Sequence, residues 1–233
     1  SEVIGLLLLG PACAGANRLD EARDAFTTVI ARCTKTGDRL HLCSALGNRM
    51  LYWLAVQKTE ESEDDLKRAL TIARELGLPA PERFGAHNLA EVQLWGGRAA
   101  EAMPLAQRGL RLAANTGHIA PVEILLLARI HVVLGQPEAA KQVFVQYPLD
   151  QDALTDLDAT HMQVLRAAMD DRADDATWAP ILAAASPAPE LIEHHYVYAQ
   201  QLRRHGSPAQ ADAVAARARA HLPSAQIWSW WLT

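Results

Sequence analysis

The chain has 233 residues and a net charge of −5; half its residues are apolar, only 6% are aromatic, and lysine and arginine are scattered along its length. Scattered charge of that sign makes no broad phosphate-binding surface, so nucleic acid is not an expected direct partner, and the Ala- and Leu-rich composition suits packed helices rather than sheets. The three cysteines, Cys13, Cys33 and Cys43, lie among apolar helical residues, as small core residues do in a reducing compartment, and imply no disulfide framework.

The opening stretch from Val3 to Pro11 lacks a basic leader region and falls far short of the roughly 20 apolar residues that cross a membrane. It predicts the first helix of a cytoplasmic helical array, without a membrane partner. Ser1 in place of an initiating methionine points to a processed or excised piece of a longer protein.

From there a pair of motifs recurs. Leu9-Gly10, Leu46-Gly47, Leu89-Ala90, Leu127-Ala128 and Tyr198-Ala199 each precede a second segment marked by Ala22, Leu66, Ala102, Ala140 and Ala211. The separation is 13 residues in four units and 20 in the second, a surplus of 7 that is close to two helical turns of ~3.6 residues. That surplus predicts a second hairpin lengthened by two turns with its apolar face still in register. Within it, the acidic run Glu60, Glu61, Glu63, Asp64 and Asp65 is expected to be a solvated helix start, capped by Ser62 with Asp65 three residues on.

The clearest unit is 83–117. Phe84, Leu89, Val92 and Leu94 give one apolar face, Gly96-Gly97-Arg98 breaks it, and Ala102, Leu105, Ala106 and Leu110 give a second before Asn115-Thr-Gly117 stops the helix. Small residues at Ala90 and Ala102 allow the two axes to approach closely. After the fourth unit, Asp150, Asp152, Asp156 and Asp158 lack the glycine and terminal glutamate of a calcium loop, and are expected to favour a helix N-terminus. The fifth unit, about 157–188, keeps the pattern loosely at Val164 and Ala176. In the sixth, Glu190 and His194 have metal-ligand spacing but no third partner, so His194-His195 is expected to be a surface or partly buried pair. The chain ends in Ile227-Trp-Ser-Trp-Trp-Leu-Thr233, where Ile227, Trp228, Trp231 and Leu232 share one helical face; this is either the start of a seventh repeat or a cap helix, and in both cases a surface for self-association.

The expected architecture is therefore all-α, a row of about six hairpins over approximately 3–36, 40–80, 83–117, 121–150, 157–188 and 192–223, in one domain spanning 1–233. Leu9-Gly10 with Ala22 and Phe26, Leu127-Ala128 with Gly135, Ala140 and Phe144, and Tyr198-Ala199 with Gly206, Ala211 and Pro223 resemble the tetratricopeptide repeat. The units are slightly longer than that family's ~34 residues. With connectors such as Glu75-Leu-Gly-Leu-Pro79 and Asn115-Thr-Gly117, they are similar to the arrays of large bacterial signalling regulators of the maltose-regulator type.

These resemblances imply a right-handed α-solenoid whose first helices line a concave groove, with Asn48, His87, Asn88, Glu91, Arg129, Tyr196, Gln200 and Arg203 on its inner wall. Asn48 and Asn88 carry the strongest expectation, because an amide side chain donates to and accepts from an extended backbone at once. No nucleophile, phosphate-loop or zinc-ligand pattern stands in the sequence. The function expected is non-catalytic and without cofactor: a scaffold for a protein or peptide, within a larger bacterial regulator of transcription. The alternative is an effector sensor that binds a small molecule or signalling peptide and controls self-association.

Overall fold

Runs of alanine and leucine form the helices, and each hairpin bends where one residue takes the left-handed conformation. The computed structural model describes residues 2–150, 152, 154–184 and 188–220. Among them twelve α-helices follow one another in pairs: α1 (Glu2–Gly15) and α2 (Leu19–Thr36), α3 (Arg39–Ala55) and α4 (Thr59–Glu75), α5 (Pro79–Trp95) and α6 (Ala99–Asn115), α7 (Pro121–Val133) and α8 (Pro137–Gln146), α9 (Asp156–Met169) and α10 (Asp175–Ala183), α11 (Ala188–Arg204) and α12 (Pro208–Ala220). Partners pack side by side, and first helices touch the next first helix, as α1 does α3 and α7 does α9. No helix among the described residues is long and apolar enough to cross a membrane.

The turn inside each hairpin sets the register. Asn17, Gln57, Gly97, Gly135, Asp171 and Gly206 have φ between 53° and 81°. The next amide then reaches back to a carbonyl five residues earlier, as Arg98 does to Gln93 at 2.8 Å. These turns are spaced by 40, 40, 38, 36 and 35 residues. Five residues past them stand Ala22, Ser62, Ala102, Ala140, Ala176 and Ala211, and all but Ala176 are buried between the helices of their hairpins.

This corrects the second unit. Its markers are Arg49-Met50 and Ser62, separated by the same 13 residues as elsewhere, and α3, α4, α5 and α6 are all 17 residues long. There is no two-turn insertion. Ser62 does not cap α4, which starts three residues earlier at Thr59; it takes the small-residue position and is 0% exposed. Nor is the acidic run wholly solvated. Asp65 accepts from Arg49 Nε at 2.6 Å, Arg49 Nη2 at 2.7 Å and Trp53 Nε1 at 2.7 Å, while Glu63 pairs with Lys67 and with Arg98 of the next hairpin.

Gly10 marks the tightest approach in the first hairpin, since a Cβ there would lie 2.8 Å from the ring of Phe26, itself fully buried. Alanine gains about 1 kcal/mol over glycine in a helix interior, but overpacking costs about 1–3 kcal/mol, and a trapped ring cannot yield cheaply. Gly10→Ala is expected to lower the midpoint of urea unfolding, and Phe26→Leu to recover part of that loss by restoring room. An unchanged or raised midpoint for Gly10→Ala alone would contradict this packing.

The loosely patterned fifth hairpin is held differently. Thr155 and Asp158 form a reciprocal cap at the start of α9, and Trp178, 0% exposed, stacks on Tyr198 at 4.8 Å. The Tyr198 hydroxyl donates to Asp175 Oδ1 at 2.6 Å. Asp156 and Asp158 occupy the first turn of α9, where the helix dipole favours them. The three cysteines are buried free thiols.

Candidate functional site

Nine residues before each turn, the first helices carry Leu8, Asn48, Asn88, Leu126, Met162 and Val197. Leu8 is 69% exposed, Asn48 exposed and Asn88 half-buried, whereas Leu126, Met162 and Val197 are buried. The same stripe is thus open along the first three hairpins and closed along the last three.

In the open half, α3 and α5 border a cavity of about 350 Å³ lined by Ser44, Gly47, Asn48, Phe84, Gly85 and Asn88. Beside Gly47 the space is open: a Cβ there would meet nothing within 4 Å. Phe84, placed by sequence on a packed face, is instead 56% exposed at the cavity mouth, with the Arg83 guanidinium 4.9 Å from its ring. The cavity combines two amide side chains with an aromatic wall. Such a surface hydrogen-bonds a main chain and takes an apolar side chain.

The closed half is organised around one arginine. Arg129, 4% exposed, donates Nε and Nη2 to Glu193 at 2.8 and 2.6 Å and Nη1 to Glu91 Oε1 at 2.7 Å. Trp95 Nε1 donates to the same Glu193 at 3.2 Å, so residues 98 positions apart meet here. Burial lowers the Arg129 pKa, but the two carboxylates outweigh it and the group stays charged. Burial likewise works to raise the Glu91 pKa, and Arg129, followed by His87, holds it below the usual range. Beside this node the His161 and His194 rings meet edge to face at 5.3 Å. Burial first, then the charge of Arg129, depresses both pKa values, that of His194 to about 3, so both stay neutral. Glu190 is pushed up to about 7 by burial, against the pull of Arg129.

Among the eight groove positions expected from sequence, the structure brings Asn48 and Asn88 to one cavity, with His87 just before Asn88 on α5 and Glu91 three residues after it. Arg129 does not lie on an open wall: the superhelix closes over it. Tyr196 and Gln200 are half-buried and bonded to each other, and Arg203 is exposed and paired with Asp212 at 3.1 Å. His194 and His195 are not at the surface; both are buried, at 0% and 4% exposure. No group of three or more histidine, cysteine, aspartate or glutamate residues among the described residues could hold a metal ion. Ile227, Trp228, Trp231 and Leu232 lie outside the described residues. Glu193 and Trp95 were given no site role from the sequence, and Gly47 was read only as half of the Leu46-Gly47 repeat marker. The burial of Leu126, Met162 and Val197 on a stripe that should face solvent is the signal that marks closure.

No protein-family model matches the chain, and no curated protein matches it. Among solved structures, it is similar to aspartyl phosphate phosphatase F from Bacillus subtilis, with a TM-score of 0.80 at 12% identity over 95% of this chain. The chain spans 60% of that protein's length. A Podosopora anserina putative kinesin light chain with nearly identical TPR-like repeats aligns at a TM-score of 0.55 and 15% identity over 94% of this chain and 93% of that one, as does a point variant of the same protein. Identities this low establish the fold alone: an all-α, right-handed solenoid of about six tetratricopeptide-like hairpins.

Proposed function

We propose that the chain is a non-catalytic scaffold, one superhelical domain that grips an extended protein or peptide segment along the open half of its inner wall. The observation that carries this reading is the cavity in which Asn48 and Asn88, one repeat apart, face the same space beside an exposed phenylalanine. Amide groups at a repeat spacing can each bridge a donor and an acceptor of a bound main chain, and the apolar wall supplies contact area. Buried free thiols fit a reducing, cytoplasmic setting. A place within a larger bacterial signalling or transcription regulator is supported by the sequence resemblance to such arrays, and self-association through Trp228 and Trp231 by their shared helical face.

A capped-peptide array tests the groove. The Asn48→Ala/Asn88→Ala double variant is expected to weaken binding roughly tenfold, since each lost hydrogen bond contributes about 0.5–1.5 kcal/mol. Gly47→Leu fills the cavity and is expected to abolish binding while melting no lower than the parent, because leucine is the better helix former. Parent-like binding by both variants would remove the groove from consideration.

A further inference from the structure

The inner face of α5 is graded. Phe84, Asn88, Glu91 and Trp95 follow at helical spacing, running from an exposed aromatic through an amide to a carboxylate and then into the closed half. Glu91 stands at the boundary, with its side chain 16% exposed. Its Oε1 is held by Arg129, while Oε2 lies 3.8 Å from His87 Nε2, too far for a hydrogen bond and an ion pair only when that ring is protonated. Behind it, Glu193 shares the same arginine, so two carboxylates lean on one guanidinium, and the buried rings of His161 and His194 are neutral and add no positive charge. The border of the closed half therefore sets two carboxylates against one guanidinium, and Glu91, one turn beyond Asn88 on α5, is the one that keeps some exposure.

We propose that Glu91 forms a cation subsite that takes the guanidinium or ammonium of a basic side chain in the bound segment, three residues along from an apolar side chain seated at Phe84. The subsite rests on the groove reading above. The spacing follows from geometry: Phe84 and Glu91 are seven residues apart on α5, about 10 Å at ~1.5 Å per residue. An extended segment with three residues per turn returns to the same face at i+3 after about 9 Å. The apolar and basic residues then face α5 together, and Asn88 lies between them at the main chain.

The probes are two capped peptides, acetyl-Leu-Pro-Pro-Arg-amide and its counterpart with neutral citrulline for arginine, titrated calorimetrically into the full chain. The arginine peptide is expected to bind at least tenfold more tightly, as charge-assisted hydrogen bonds outweigh neutral ones. Glu91→Gln is expected to erase that preference while leaving citrulline-peptide affinity unchanged; glutamine still accepts from Arg129, and unaltered melting shows that the wall has kept its shape. Equal binding of the two peptides to the parent overturns the cation subsite and leaves the groove standing. Absence of binding by either at about 1 mM overturns the subsite together with the groove.

Discussion

Arg129→Ala is expected to destabilise the protein by about 3–5 kcal/mol, because it leaves the buried carboxylate of Glu193 and the largely buried one of Glu91 without the cation that compensates them. For a chain of this length that corresponds to a fall in melting temperature of roughly 10 °C. The loss should not spread evenly. In a repeat array each hairpin leans on its neighbours, and the node ties α5 to α7 and α11. Hydrogen exchange should therefore show protection lost along α5 and α11 and largely kept in α2 and α4. Removing all three charges together, with Arg129→Met, Glu91→Gln and Glu193→Gln, should restore most of the stability, since the penalty comes from uncompensated charge rather than from lost attraction. A loss below about 1 kcal/mol for Arg129→Ala would mean that water reaches the node and that the inner wall is not closed there.

For the proposed scaffold, the node implies a division of labour along one superhelix. Among the described residues, hairpins four to six bury Leu126, Met162, Val197 and the Arg129 node along their inner wall. Hairpins one to three leave Leu8, Asn48, Leu51 and Phe84 exposed on theirs. On the proposed reading, the closed half supplies rigidity and a fixed charge at its border, and the open half the binding surface. The stripe positions of both halves share one repeat register, but Asn48 and Asn88 in the open half give way to Leu126, Met162 and Val197 in the closed half.

That distinction explains what the sequence could and could not convey. Hairpin number and turn positions are local properties, written in Leu89-Ala90, Gly97 and Ala102, and they are legible because helix packing demands a small residue at one fixed place. The second hairpin misled for a local reason too. Its small residue is Ser62, and Arg49-Met50 replaces the usual leucine and alanine, so the eye settles on Leu46-Gly47, three residues early, and Leu66, four residues late. Those two displacements are the apparent insertion. Asn48 and Asn88 both stood out as amides on first helices, but their equivalence did not, because the misread register sets Asn48 two residues after its marker and Asn88 one before. The Arg129 node was not legible either, because Glu193 lies 64 residues from Arg129 and 98 from Trp95, and their meeting depends on how far the superhelix turns per hairpin. Small rotations that no motif encodes accumulate over three repeats.

Glu190 should make the protein's stability depend on pH in a direction opposite to that of its histidine neighbours. Burial raises its folded pKa to about 7 from 4.5, so between those values the folded chain holds a proton that the unfolded chain has released. Stability then falls by about 1.4 kcal/mol per pH unit as pH rises through that window, about 3 kcal/mol in all, and levels off above it. His161 and His194 act the other way. Their folded pKa values lie below the ordinary 6.5, so the stability they contribute is complete above that pH and is lost as pH falls. The groups that face Glu190 include Arg129 from α7, Glu91 from α5 and Glu193 on its own helix, and the two carboxylates oppose its ionisation. Glu190→Gln reproduces the protonated shape without the charge. Subtracting parent from variant unfolding free energies, measured in urea from pH 4 to pH 8.5, isolates this one group because the histidine contributions cancel. The difference is expected to be near zero at pH 4 and to climb to about 3 kcal/mol in favour of the variant by pH 8. A difference that stays flat across the range would place Glu190 in contact with water, with an ordinary carboxylate pKa and no part in closing the inner wall.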